Sequence, residues 1–150
     1  MRFYNDLAQI QTAKGVKFQE MQDTASEGDY GCDYRSITTV HTKNNQNIYL
    51  VIEEAVVSTK DRYEGITAFI IEGVSLKKLN AFKTKTKSLN SIGYGFDAFA
   101  HGQGTFVSEI HFSNDSRKLY VPIVKGETLT DNFLVYIFDG DNYVFDKNAK

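Results

Sequence analysis

Cysteine, proline and tryptophan are nearly missing from this chain. Among 150 residues there is one cysteine, Cys32, one proline, Pro122, and no tryptophan. A single thiol excludes an internal disulfide and a thiolate metal cluster. The near absence of proline argues against linkers and leaves room for strands. Long apolar runs are lacking too: the longest, residues 48–52, 55–57 and 133–138, fall far short of a membrane span. Residues 1–7 hold no apolar stretch of the length a secretory signal needs, so a cytoplasmic protein is the expectation. Nor is one sign of charge in excess. The formal net charge is −2, only four residues are arginine, and no aromatic RNA motif is present. Nucleic acid and anionic membranes are therefore not expected partners.

What is present is the composition of a folded domain. Hydrophobic residues make up 41% and charged residues 24%, with nine Tyr and eleven Phe. Those fractions exclude intrinsic disorder, and the aromatic content favours strands. No repeat, low-complexity tract or linker divides the chain, so a single domain over residues 1–150 is expected.

Periodicity supplies the elements. Phe3, Leu7 and Ile10 recur at spacings of four and three, with Asn5 or Asp6 to cap and Gly15 to stop, which predicts a short N-terminal helix. Residues 20–35, with Glu20, Asp23, Glu27, Asp29 and Asp33 beside Gly28 and Gly31, read as an acidic loop after a short strand near residues 16–18. Residues 36–43 and 47–58 flank Asn44-Asn45-Gln46-Asn47, a hairpin turn, and residues 48–52 are apolar on both faces like a strand central to its sheet. Residues 66–72, bounded by Gly65 and Gly73, predict another strand. Ser75 can cap a helix bearing Leu76, Leu79 and Phe82 on one face, whereas Thr84 and Thr86 alternating with lysines fit a strand. Residues 105–112, 119–125, 133–138 and 142–146 complete the strands, the last two joined by Asp139-Gly140-Asp141. No βα alternation appears. The expected fold is α+β and β-rich: a single antiparallel sheet or partly closed barrel, an N-terminal helix, and room for one further short helix.

Arg62-Tyr63-Glu64-Gly65-Ile66-Thr67-Ala68-Phe69-Ile70-Ile71-Glu72 resembles a strand from the middle β-domain of acyl-CoA dehydrogenases. The flavin-contacting pattern and large helical domains of that family are missing here. The resemblance implies a buried, glycine-bounded strand and assigns no family.

Four constellations bear on chemistry. The glycine-rich residues 93–104 present Tyr94, Phe96, Phe99 and His101 to a ligand or partner, or plug an end of the core. Gly93-x-Gly95 is followed by Ala98 instead of a third glycine, and no lysine lies between Lys87 and Lys118, so nucleotide binding is not expected. Glu109 and His111, two apart on one strand face, suit an acid–base pair or two metal ligands, with His41 or His101 as the third; a solvated sheet face explains them equally well. Cys32, among Asp29, Tyr30, Gly31 and Asp33, is a poor thiolate, and Glu53 and Glu54 point to opposite faces of a strand. Lys77, Lys78, Lys83, Lys85 and Lys87 occur with no acid between Gly73 and Phe96, as a solvated face or a dock for an acidic partner.

No cofactor or metal is expected. The leading expectation is a small non-catalytic protein-binding module that occupies a partner, in the manner of inhibitors and of immunity or phage anti-defence proteins. The alternative is a β-barrel that binds or cleaves a small ligand near residues 93–104, with Glu109 and His111 at its mouth. An enclosed cavity of roughly 300 Å³ or more would favour the barrel, and a filled core the partner.

Overall fold

The computed structural model describes residues 7–21, 32–100 and 109–149. Among the described residues every regular element is a strand. β1 (Leu7–Thr12) and β2 (Gly15–Glu20) form a hairpin that is a sheet by itself. β3 (Asp33–His41), β4 (Asn47–Val56), β5 (Asp61–Glu72) and β6 (Ser75–Lys78) run as an antiparallel meander. β7 (Phe82–Lys83) and β8 (Ser88–Leu89) leave that sheet, and β9 (Ser91–Asp97) returns to pair with the first half of β5. β10 (His111–Phe112), β11 (Lys118–Lys125), β12 (Thr128–Phe138) and β13 (Tyr143–Asp146) build the second large sheet, in the order β10-β11-β12-β13-β7-β8. Every pairing is antiparallel except β13 with β7, which is parallel.

The two large sheets meet across one core. The five-stranded sheet contributes Val40, Ile48, Leu50, Ile52, Ile66, Ala68 and Ile70. The six-stranded sheet answers with Phe82, Leu119, Val121, Tyr136, Phe138 and Tyr143. Phe82 and Tyr143 are fully buried, and their rings lie 6.2 Å apart. Residues 48–52 are apolar on both faces because β4 is flanked by β3 and β5 while a second apolar layer covers its outer face. The hairpin of residues 36–58 and the β12–β13 hairpin across Asp139-Gly140-Asp141 stand where turn chemistry placed them.

Three expectations are corrected. The N-terminal helix does not form over the described residues 7–15; that stretch is β1 and the turn into β2. Ala8, Ile10 and Thr12 alternate inward at period two, and Ile10 is buried, so the spacing of Leu7 and Ile10 carried no helical stripe. Gly15, at φ 115°, closes a hairpin and not a helix, and its carbonyl accepts from the Thr12 hydroxyl at 2.7 Å. The further short helix is absent too. Residues 75–78 pair with β5, and Leu79, Ala81 and Phe82 carry the chain across to the other sheet, with the Leu79 amide donating to the Ala68 carbonyl. Finally, the sheet is not single: apolar residues on both faces of β4 and β5 require a layer on each side. The fold is all-β among the described residues, and none of them forms a helix long and apolar enough to cross a membrane.

Candidate functional site

The inner face of the five-stranded sheet changes character at one end. Down β4 the inward residues are Ile48, Leu50, Ile52 and then Glu54; on β5, running the other way, they are Ile70, Ala68, Ile66 and then Glu64. On β9 they are Ile92 and then Tyr94 and Phe96. Glu54, Glu64 and Tyr94 therefore stand side by side in one cross-strand row. Two carboxylates directly opposite each other repel. The neighbouring strand supplies the remedy through a bulge. Arg35 has no cross-strand partner between Tyr34 and Ser36, and its guanidinium reaches Glu54 at 3.2 Å, Glu64 at 3.7 Å and Glu109 at 3.3 Å.

Glu64 is the buried member, only 4% exposed. Its Oε2 accepts from the Tyr94 hydroxyl and from the Ile110 amide at 3.1 Å, while Oε1 has no hydrogen-bond partner. Burial pushes the Glu64 carboxyl above its ordinary 4.5, against the opposing pull of those two donors. Burial also raises the Tyr94 phenol, and the adjacent Glu64 adds to that shift. A cleft of about 100 Å³ opens here, lined by Arg35, Glu54, Arg62, Glu64, Phe96 and Glu109.

On the outer face of the same sheet Glu53 sits beside Gly65, so the two adjacent glutamates do face apart. The Tyr63 ring lies across Gly65 and Gly93. A Cβ on Gly93 would come within 2.6 Å of the Tyr63 Cζ, which is why that row holds glycines. Burial pushes the Tyr63 phenol up to about 12. Cys32 is half-buried nearby.

Farther along this face the β1–β2 hairpin packs over β3, β4, β5 and β6. The Gln19 side-chain amide fastens it, donating to the Leu76 carbonyl at 2.8 Å and accepting from the Leu76 amide at 2.7 Å. A groove of about 410 Å³ remains between hairpin and sheet, lined by Leu7, Ile10, Tyr34, Ile37, Val51 and Ile71 among others. Leu7 is 61% and Ile37 66% exposed, so the groove is open to solvent.

The structure brings together only part of the expected site. Tyr94, Phe96 and Glu109 gather around Arg35 and Glu64. Gly93 to Phe96 are strand and not loop, because β5 offers them a partner. Phe99 is exposed in the turn beyond, and His101 lies outside the described residues. The His111 side chain does not join Glu109; its ring stacks on Tyr120 at 4.8 Å, edge-on to Phe133, while its Nδ1 lies 2.9 Å from the Glu109 carbonyl. The lysines divide between sheets: Lys77 and Lys78 on β6, Lys83 on β7, Lys85 and Lys87 in the turn after it. Lys77 pairs with Glu72 at 2.7 Å. Arg35 and Glu64 were not singled out from the sequence, and Glu54 was weighed only as a neighbour of Glu53. The available signal was a charge, Glu64, at the head of the uncharged run from Gly65 to Ile71.

No family model, curated protein or solved structure matches this chain.

Proposed function

We propose that this protein is a non-catalytic, cytoplasmic protein-binding module that takes an extended apolar strand of a partner along β3, in the manner of an inhibitor or immunity protein. The carrying observation is the open apolar groove. Its lining side chains Tyr34, Ile37 and Thr39 all belong to β3, the end strand of its sheet, whose outer edge pairs with no strand among the described residues. An added strand takes main-chain hydrogen bonds from such an edge and sets alternate side chains into the pockets beside it. The groove's volume lies within the small-ligand range, which favours the ligand-binding alternative. With Leu7 and Ile37 more than 60% exposed, however, the walls do not enclose a ligand to the 70–90% usual for such sites. A partner's surface can cover what a small molecule leaves open.

The test is affinity capture with mass spectrometry, followed by reconstitution with the purified partner. Binding should protect the β3 amides from hydrogen exchange, and Ile37→Lys should weaken it by about tenfold or more while the circular dichroism spectrum is retained. Unchanged affinity for Ile37→Lys and unprotected β3 amides would overturn the reading. So would a self-associated dimer that occupies the groove, or saturable uptake of a small apolar ligand in place of the partner.

A further inference from the structure

We infer that the cleft on the outer face of the six-stranded sheet, at β11 and β12, is a binding site for a pyranose ring, one unit of a saccharide. It lies on the other large sheet from the groove and stands independently of it.

The ladder between β11 and β12 gives the first argument. Pro122 pairs with Phe133 and Val124 with Leu129, so one residue, Ile123, stands opposite three, Thr130, Asp131 and Asn132. Such an irregularity re-aims side chains and is a frequent neighbour of functional sites. This one is fixed in place: the Thr130 hydroxyl donates to the Ile123 carbonyl at 2.8 Å and accepts from the Asn132 amide at 3.3 Å. It sets Asp131 and Asn132, both exposed, on a cleft of about 790 Å³ that Tyr120, Lys125 and Phe133 also line. The second argument is the aromatic wall. The Tyr120 ring stacks on His111, 10° from parallel, and Phe133 stands at 86° to both, 5.1 Å from His111 and 6.0 Å from Tyr120. The two lining rings are therefore braced by each other and by His111, so little ordering remains when a ligand packs on them.

The polar groups say which ligand. Asp131 only accepts, Lys125 only donates and the Asn132 amide does both, and none of these side chains is tied by a hydrogen bond or ion pair among the described residues. The two charges cancel, so neither an anion nor a cation gains over a neutral ligand. A neutral ligand that meets donors and acceptors together is rich in hydroxyls, each of which does both. The C–H bonds on the face of a sugar ring carry partial positive charge and suit the negative face of an aromatic ring. A pyranose unites the two. It also keeps the hydroxyls of its far side in water, so an open cleft serves it where an apolar small molecule needs enclosure.

The reporters are the amide resonances of Lys125 and of Thr130 to Phe133. The methyl glycosides of glucose, galactose, mannose and N-acetylglucosamine are titrated one at a time, with sorbitol and cyclohexanol as controls. At least one glycoside should shift these amides saturably in the millimolar range. Sorbitol, which has the hydroxyls without the ring, and cyclohexanol, which has a ring without the set of hydroxyls, should not. Asn132→Ala, at an exposed side chain, should weaken binding by about threefold to tenfold while the rest of the spectrum is unchanged. Phe133→Leu, which keeps an apolar side chain but removes the ring, should weaken it by about fivefold or more. A disaccharide of the responding sugar distinguishes the sources: tighter binding assigns the site to a glycan chain, and equal binding to a single sugar unit. No saturable shift from any of the four glycosides would overturn the proposal. So would sorbitol matching them, cyclohexanol binding more tightly, or Asn132→Ala binding as the wild type does. Should Phe133→Leu fail to fold, Asn132→Ala alone decides.

Discussion

The two faces of the five-stranded sheet are both largely apolar, yet only one is covered throughout its apolar part by the described residues. The apolar part of the inner face meets Phe82, Leu119, Tyr136 and Tyr143 and is buried. Among the described residues the outer face receives a two-stranded hairpin, fastened by Gln19, and Ile37 and Ile71 of the sheet and Leu7 of the hairpin stay exposed. A two-stranded ribbon is marginal in water by itself and adds little cover. The inner face explains why the molecule folds, and the outer face is where it has surface left to offer.

The contrast is broken most severely from the inside. Phe82→Ala should destabilise the fold by about 3–5 kcal/mol in urea unfolding, because a fully buried ring is lost from contact with Tyr136 and Tyr143. Gly93→Ala comes next, at about 1–3 kcal/mol, since the new methyl collides with the Tyr63 ring. Tyr63→Ala should relieve most of that cost, and a double-mutant cycle reads the coupling directly.

The third prediction concerns the rim between the faces. A carboxyl whose value is raised on folding binds its proton more tightly in the folded state. Stability is then highest while it is protonated and falls as pH rises from the ordinary 4.5 through the raised folded value. Glu53, raised by its own burial, acts with the same sign. Glu64→Gln should remove part of this decline in unfolding free energy measured against pH. Asp139, lowered by the Asn142 and Asp141 amides, contributes the opposite way: its stabilisation is present above the ordinary 3.8 and lost as pH falls below it. The smallest effect belongs to the outside. Phe18→Ser, at a ring 64% exposed, should change stability by no more than about 0.5 kcal/mol.

Legibility followed the same division. Hairpins with local signals were readable: Asn44 to Asn47, Asp139 to Asp141, and the alternating runs beside them. Residues 66–72 were rightly a strand, although Gly65 does not bound it: β5 begins at Asp61. Residues 7–15 misled because Leu7 and Ile10 stand at a helical spacing by chance, and tertiary cover, absent from local spacing, turned Ala8, Ile10 and Thr12 inward instead. Residues 75–82 misled because Leu76 and Phe82 serve different sheets. The acidic cleft was least legible. It needs a bulge at Arg35, a cross-strand register that sets Glu54 beside Glu64, and Glu109 arriving from 74 positions beyond Arg35. None of these is a local property.

The single parallel pairing, β13 with β7, sets an order of events during synthesis and folding. β7 and β8 join their sheet only through β13, where Phe82 lies opposite Tyr143 and the Tyr143 amide bonds the Ala81 carbonyl. The meander from β3 to β6 can close on itself as soon as it leaves the ribosome. Phe82, in the middle of the chain, must then wait for the last strand before it finds its neighbours. Such a distant closure is slow relative to hairpin formation. The lower layer of the core is therefore exposed longest, and removal of residues 143–146 should leave a nascent chain with one finished sheet and a sticky, unfinished second one.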